Sequence, residues 1–373
     1  MRVNADLHIH SPYSMAVSRF MKPEQLLASC VNKGIDVLGT GDALQPDWQK
    51  CWQLYMENND GVIIVPQCEI EDKKRVHHLV LAEDFAQFDQ LRDLMAGKCK
   101  SFETSGRPHV YLNGEEIAAF AHEVGAMIGP AHAFTPWTAL YAYFDSVPAC
   151  YGNEKIDFLE LGLSADSSYG EAIPDLCDVP FLTNSDAHSP NPDKLGREFN
   201  RIRIRHRRAK DVLNAIKKTD IEMNVGFFPE EGKYNRTACT RCFTQYNMDQ
   251  AVQYRWRCPS DGGIIKKGVF DRSGELSKGG TSCPRPPYIH ALPLGQIIQS
   301  VVGASSPYTK KCDAIYQSLI NAFNNEIAVL LDVPVHEILV INPKVAEVIS
   351  AFRSGTLNLN SGGGGKYGTF SIR

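Results

Sequence analysis

VNADLHIH, residues 3–10, is a short apolar strand that closes on two histidines, His8 and His10, and the rest of the first half repeats its design. IDVLGTGD ends on Asp42, VIIVPQCE on Glu69 and AMIGPAH on His132. VHHLVLA carries His77 and His78, DFLELG carries Glu160, and PFLTNSDAH carries Asp186 and His188. Apolar burial explains such runs, but it does not explain why their ends keep presenting His, Asp and Glu. Strands that each finish in a metal-type ligand predict a parallel β/α barrel with a polynuclear metal site at the strand C-termini.

The segments between the strands support that layout. KPEQLLASCVNKG, PDWQKCWQLYMENN, DFAQFDQLRDLMAGK, NGEEIAAFAHEVG and AKDVLNAIKKT each place apolar residues at three- and four-residue steps, the spacing of crossover helices. A chain of 373 residues exceeds one average core. The barrel is predicted over 1–225, and GFFPEEGKYNRTA after it has the Gly, Pro and charge content of a linker. A cysteine-bearing unit follows at 236–270. After a loop-like stretch at 271–286, a small helical domain is expected over 285–373, closed by the Gly-rich SGGGGKYGTFSIR.

Residues two apart on a strand share a face, so His8 and His10 offer two nitrogens to one ion. Glu69 and Asp186 can complete that shell, and Glu69 can bridge to a second ion held by His78 and His132. His77 is expected on the opposite face of its strand. Asp42 and His188 remain for a third ion, Asp6 is expected to orient a ligand imidazole, and Glu160 could either ligate or orient. His122 lies in a helical pattern and reads as an interior or capping residue. The chemistry such a site supports is hydrolysis of a phosphoester, with Asp186, Glu69, His8 and His10 at its centre.

Cys239-Thr-Arg-Cys242 and Cys258-Pro-Ser-Asp261 have the spacing of two zinc-ribbon knuckles, with Asp261 where a fourth cysteine would stand. One structural zinc is expected there, because about 35 residues make too small a core to fold unaided. Cys283 could reach in from the following loop. The other cysteines (30, 51, 68, 99, 150, 177 and 312) have no regular spacing, which favours reduced thiols and a cytoplasmic location.

Net charge is −4, so any nucleic-acid contact must be local. Arg201, Arg203 and Arg205 alternate along a strand and could line a phosphate track. Arg255, Lys266 and Lys267 sit among Tyr246, Tyr254 and Trp256, a mix suited to phosphate contact and base stacking. Arg197, just after the last ligand-bearing run, is a further phosphate candidate, although an arginine at a helix start paired with Glu198 reads the same way. SGGGGKYG lacks the Ser or Thr that must follow the lysine of a nucleotide-binding loop, but its glycines could let the backbone and Lys366 approach a ligand. QSLINAF, residues 317–323, partly resembles a sliding-clamp-binding peptide, though helical core explains it better. No stretch approaches a membrane span, and MRVNADLHIH runs straight into candidate ligands without the form of a signal peptide.

DLHIHSPYS, TGD, CEIE, HHLV, GPAH and NSDAH resemble the successive motifs of the polymerase and histidinol phosphatase (PHP) superfamily over residues 1 to about 225. The resemblance implies a distorted (β/α)7 barrel, two or three divalent ions such as zinc, manganese, magnesium or iron, and phosphoesterase activity. One departure is Gly41-Asp42-Ala43, where many members read Thr-Asp-His, and it bears on the third ion. The order barrel, ribbon, helical domain with RPPYIHALPLGQII and terminal GGGGKYG is similar to the endonuclease Q family across nearly the whole chain. That similarity implies a repair enzyme, archaeal and occasionally bacterial, that nicks DNA 5′ to uracil, hypoxanthine, xanthine and abasic sites. The rival readings are a small-molecule phosphatase of the histidinol-phosphate type and a metal-bound nucleic-acid-binding protein without catalysis.

Overall fold

The computed structural model describes residues 1–56, 59, 61–99 and 101–372. Its largest sheet has six strands in the order Tyr288–His290, Ile221–Gly226, Phe199–Arg203, Arg2–Asp6, Val37–Gly39 and Ile63–Val65. Arg2–Asp6, Val37–Gly39 and Ile63–Val65 run parallel, as the crossover helices between them require. Gln67–Glu71, His77–Leu81 and Met127–Pro130 form an antiparallel sheet of three, and Leu159–Glu160 pairs in parallel with Phe181–Leu182. No sheet closes on itself among the described residues. The pieces nevertheless share one buried cluster that draws Val3, Val65, Leu79, Met127, Phe158, Leu182 and Ile202 together with helix Ala209–Lys217. The result is a distorted β/α barrel.

The expected crossover helices form at Pro23–Lys33, Pro46–Gln53, Phe85–Leu94, Gly114–Glu123 and Ala209–Lys217. Their ends follow from local chemistry. Asp84 and Asn113 each cap a helix through a reciprocal bond with Gln87 and Glu116, three residues on. Their apolar faces, among them Leu26, Leu27, Trp48, Trp52, Phe88, Leu91 and Ile117, make the second and larger buried cluster.

Two departures from a purely parallel barrel matter for the site. The strand His77–Leu81 is reversed, so its start rather than its end meets the strand ends that carry ligands. The strand Phe199–Arg203 is also reversed, pairing Arg203 with Arg2 and Arg201 with Asn4. The predicted arginine track therefore lies toward the beginning of the first strand, at the end away from His8 and His10.

Ala238–Cys239 pairs with Ile265–Lys266 in the cysteine-bearing unit, whose core is small: Cys239, Ala251, Cys258 and Ile265, backed by Tyr246, Tyr254 and Trp256. The segment after it does not start a separate domain at 285, because Tyr288–His290 joins the barrel sheet beside Ile221–Gly226. Cys283 is bonded to Cys177, which corrects both the expectation of reduced thiols throughout and that of a Cys283 contribution to the ribbon. The helical unit runs from Leu294 to Ser354 and is locked to the barrel by two ion pairs. Lys33 reaches Glu326 at 2.6 Å with both side chains buried, and Arg201 reaches Asp332. Gln317–Phe323 lies within helix Lys310–Phe323, with Leu319 and Ile320 in the core. The Gly-rich tail packs backbone to backbone: a Cβ on Gly364 would stand 2.1 Å from the Cys239 carbonyl oxygen, and a Cβ on Gly362 would stand 2.5 Å from that of Gly232. Only glycine allows that approach.

Candidate metal centre

The first strand delivers His8 and His10 into a buried cluster, and each imidazole is held from behind by a carboxylate. His8 Nδ1 lies 2.9 Å from Glu160 Oε2, and His10 Nδ1 lies 3.2 Å from Asp42 Oδ1. Glu160 also accepts hydrogen bonds from the Asn184 side chain and the His132 backbone N–H. Asp42 accepts from the Ser11 backbone N–H and from the hydroxyls of Ser11 and Ser14. Both carboxylates are thus placed behind ligand imidazoles, and Asp42, expected to bind an ion directly, stands against His10 Nδ1. Asp6 does not touch an imidazole; it accepts the Ser185 and Gly196 backbone N–H groups and so ties the Asp186 loop to the first strand.

The other ring nitrogens face inward. His8 Nε2 and His10 Nε2 are buried with no hydrogen-bond partner among the described residues. They stand 3.9 and 3.4 Å from Glu69 oxygens and 3.8 and 3.2 Å from Asp186 Oδ1. Buried polar atoms are normally satisfied, so two orphaned imidazole nitrogens converging with two carboxylates are the donor set of a divalent cation. Glu69 Oε1 further lies 2.7 Å from His77 Nδ1 and 2.8 Å from His132 Nε2. Three ligand groups result, namely His8–His10–Glu69, Glu69–His77–His132 and His10–Asp186–His188. They share Glu69 and His10, as a multinuclear site requires.

His77, not His78, stands in this cluster. The register pairs Glu71 with His77 and Glu69 with Leu79, so those four residues share one face, whereas His78 pairs with Ile70 on the other. His78 instead meets the Tyr151 hydroxyl at 2.7 Å. His122 bonds Glu154 and Asp157 on its own helix's side and takes no part.

Electrostatics fit the donor set. Burial opposes ionisation of Asp186, but the imidazoles of His10 and His8 beside it hold its carboxyl far below the ordinary range. Glu69 is likewise held low against burial by His77 and His132. Burial pulls His8 down, yet Glu160, Asp186 and Glu69 together raise it to about 9. The carboxylates thus create a demand for positive charge that a cation can meet in place of imidazole protons. Asp42, His132 and Asp186 also adopt positive φ (48°, 32° and 47°), a strained geometry that clusters at functional sites.

A cavity of about 420 Å³ opens beside the cluster. His77, Arg107, His132 and Asp186 line it together with Trp137, Lys233, Tyr234 and Tyr367. Arg107 Nη1 donates to Glu69 Oε2 at 3.0 Å. The Trp137 and Tyr234 rings meet edge to face at 4.6 Å, and Lys233 lies over the Tyr234 and Tyr367 rings. Arg107 and these aromatics sit outside the ligand-bearing runs. The aromatic content of the linker and tail signals Tyr234 and Tyr367, whereas nothing in the sequence marks Arg107 or Trp137.

The remaining candidates divide. Cys239, Cys242, Cys258 and Asp261 converge, with Cys239 Sγ 3.3 Å from Asp261 Oδ1 and Cys242 Sγ 3.7 Å from Cys258 Sγ. Lys266 lies 4.7 Å from the Trp137 ring, which places the ribbon beside a residue that lines the cavity. Lys267 pairs with Glu275 at 2.7 Å, and Arg255 and Lys366 are exposed. Arg197 donates to the Ser185 carbonyl oxygen at 2.9 Å and so braces the Asp186 loop. Arg201 is spent on Asp332 and Arg203 on Glu222, while Arg205 is exposed at the far end, so the three do not line the site.

A family described as MJ0043 C-terminal domain matches residues 293–356. The chain is 45% identical over 249 residues to the protein MJ0043 of Methanocaldococcus jannaschii, a match covering 65% of this chain and 32% of that protein, so the chain spans about a third of that relative. It is 30% identical to YqxK of Bacillus subtilis over 98% of each chain. Among solved structures, the lesion-specific endonuclease PfuEndoQ of Pyrococcus furiosus superposes with a TM-score of 0.97 at 43% identity, covering all of this chain and 96% of that one. Endonuclease Q bound to a 27-mer duplex with an abasic lesion at the active site superposes at 0.93 and 43% identity, over 100% and 97% of the two chains. No described helix is long and apolar enough to cross a membrane.

Proposed function

We propose, because the chain belongs to the endonuclease Q family, that it hydrolyses the DNA backbone on the 5′ side of a deaminated base or an abasic site. It is a metal-dependent DNA repair endonuclease. The observation that carries this reading is the make-up of the cavity. A small-molecule phosphatase would need only the barrel, yet Lys233, Tyr234 and Tyr367, from the linker and the C-terminal tail, line the same cavity as Asp186.

Two or three divalent ions, zinc, manganese or magnesium, would be held by His8, His10, Glu69, His77, His132, Asp186 and His188, and one zinc by the ribbon cysteines and Asp261. When bound, the barrel ions supply a water activated at neutral pH and positive charge for the phosphoryl oxygens. Glu160 and Asp42 fix the His8 and His10 rings so that both Nε2 atoms remain available. Arg107, held against Glu69, faces the cavity and neutralises a phosphate entering it. Trp137, Tyr234 and Tyr367 offer ring faces to a nucleotide extruded from the stack, an extrusion that costs least at a weakened pair. Lys266, Arg255 and Lys366 grip the flanking backbone.

The test uses end-labelled duplexes bearing one uracil, hypoxanthine or abasic site, with manganese, magnesium or zinc, alongside undamaged duplex. Metal-dependent cleavage at the phosphate 5′ to the lesion, absent in Asp186→Ala while DNA binding persists, is expected. Nicking by that variant, or turnover of a small phosphomonoester without nicking, overturns the reading.

A further inference from the structure

Behind the metal centre, on the opposite face of the strand His77–Leu81, lies a second group of potential ligands that the proposed chemistry does not use. His78 on that strand, Asp72 just beyond the strand Gln67–Glu71, and Cys150 on helix Val147–Tyr151 bring Nε2, a carboxylate oxygen and Sγ within 4.8 Å of one another. All three are buried, at 0%, 1% and 6% exposure. His78 Nε2 and Asp72 Oδ2 have no hydrogen-bond partner among the described residues. Two unsatisfied polar atoms at this depth are costly, and both point into the same space.

The separation fits a ligand pair better than a hydrogen-bonded ion pair. His78 Nε2 and Asp72 Oδ2 stand 3.5 Å apart. A charge-assisted hydrogen bond is about 2.7–2.9 Å. Two ligand atoms about 2.0–2.2 Å from a shared tetrahedral ion stand roughly 3.4 Å apart. The Tyr151 hydroxyl at His78 Nδ1 holds the ring in place, as the outer partners of metal-bound histidines do. Gly114 makes room, since a Cβ there would lie 2.8 Å from Cys150 Sγ and 3.0 Å from His78 Cε1.

We infer that Asp72, His78 and Cys150 form a distinct zinc site, apart from the catalytic centre, whose ion pins the back of the strand that presents His77 to the metal centre. The mixed thiolate, imidazole and carboxylate set is one that zinc accepts, and three protein ligands leave the fourth position to water. Burial pushes the Cys150 thiol up to about 12 in the metal-free pocket, and zinc binding releases that proton to solvent.

Full-length protein, purified reduced and freed of loosely held metal, is assayed for zinc per chain in wild type, Cys150→Ser and Asp72→Asn, with folding followed by circular dichroism. Each variant is expected to hold one zinc fewer than wild type. In a Cys239→Ser/Cys242→Ser background loaded with cobalt, a thiolate-to-cobalt absorption band is expected to remain and to vanish when Cys150→Ser is added. Folded variants with wild-type zinc content, or a background without that band, would overturn the site. Because both readouts are metal content and spectrum, neither depends on nicking.

Discussion

His8 Nδ1 and Glu160 Oε2 are 2.9 Å apart and both buried, and this contact turns the free His8 Nε2 toward Glu69 and Asp186. Glu160→Gln keeps the shape but loses the charge that favours Nδ1–H, so it weakens metal binding without removing a ligand. The expected effect is a 10–100-fold rise in the metal concentration needed for half-maximal nicking, about the usual cost of losing such a partner. A titration with manganese, with DNA affinity as the control, measures it; an unchanged midpoint would show that Glu160 does not orient His8.

His77→Ala removes one of the two imidazoles on Glu69 Oε1 and is expected to depress kcat more than Glu160→Gln does, with lesion-DNA affinity retained. Single-turnover nicking beside a binding isotherm separates the two quantities. Loss of binding with unchanged single-turnover rate would place His77 in DNA contact instead of at the metal.

Arg201 and Asp332 form a two-pronged pair at 2.8 and 3.0 Å, with Arg201 nearly buried and Asp332 half exposed. Exposure of one partner limits their coupling to about 0.5–1 kcal/mol in a double-mutant cycle. Arg201→Ala should lower the melting temperature and leave the salt dependence of DNA affinity unchanged. A shallower salt slope would restore the arginine to the DNA path.

The arginine strand and the His77/His78 choice mark where reading the chain reached its limit. Period-2 alternation reveals which residues share a face, and three- and four-residue steps reveal the helices, so the ligand-bearing runs and the ribbon spacing were legible. Strand direction is a property of the partner. Nothing within VHHLVLA or FNRIRIR states that the strand runs against its neighbour, and that reversal brings His77 to Glu69 and carries Arg203 to the far end. The Cys177–Cys283 bond, spanning 106 residues, was hidden for the same reason. Trp137 on the barrel meets Tyr234 on the linker, and Tyr367 joins their cavity because the tail folds back on the linker.

The Cys177–Cys283 bond ties the segment after the ribbon to the barrel. For closure of so long a loop, chain entropy alone would give somewhat over 4 kcal/mol. Arg285 already anchors the same segment by donating to the carbonyl oxygens of Val179 and Leu176 and lying 3.7 Å from the Phe181 ring. Reduction, or Cys177→Ser, is therefore expected to cost about 2–3 kcal/mol, read as a lower melting temperature with nicking retained below it. An unchanged melt would mean that Arg285 alone suffices.

Glu198 is fully buried; its Oε1 accepts the Phe227 backbone N–H, while Oε2 has no partner among the described residues. Burial raises its carboxyl from 4.5 to about 8, and the Phe227 hydrogen bond does not offset it. The raised value sets the sign. Between 4.5 and about 8 the unfolded chain releases this proton while the folded chain keeps it, so the unfolded state binds fewer protons and stability falls as pH rises. The penalty is absent below the unfolded value and complete above the folded one, with a ceiling of about 5 kcal/mol. Glu198→Gln keeps an oxygen for Phe227 and removes the ionisation, so it should match wild type in urea melts near pH 4 and exceed it near pH 9. A stability difference independent of pH would mean that Glu198 ionises as freely in the folded chain as in the unfolded one.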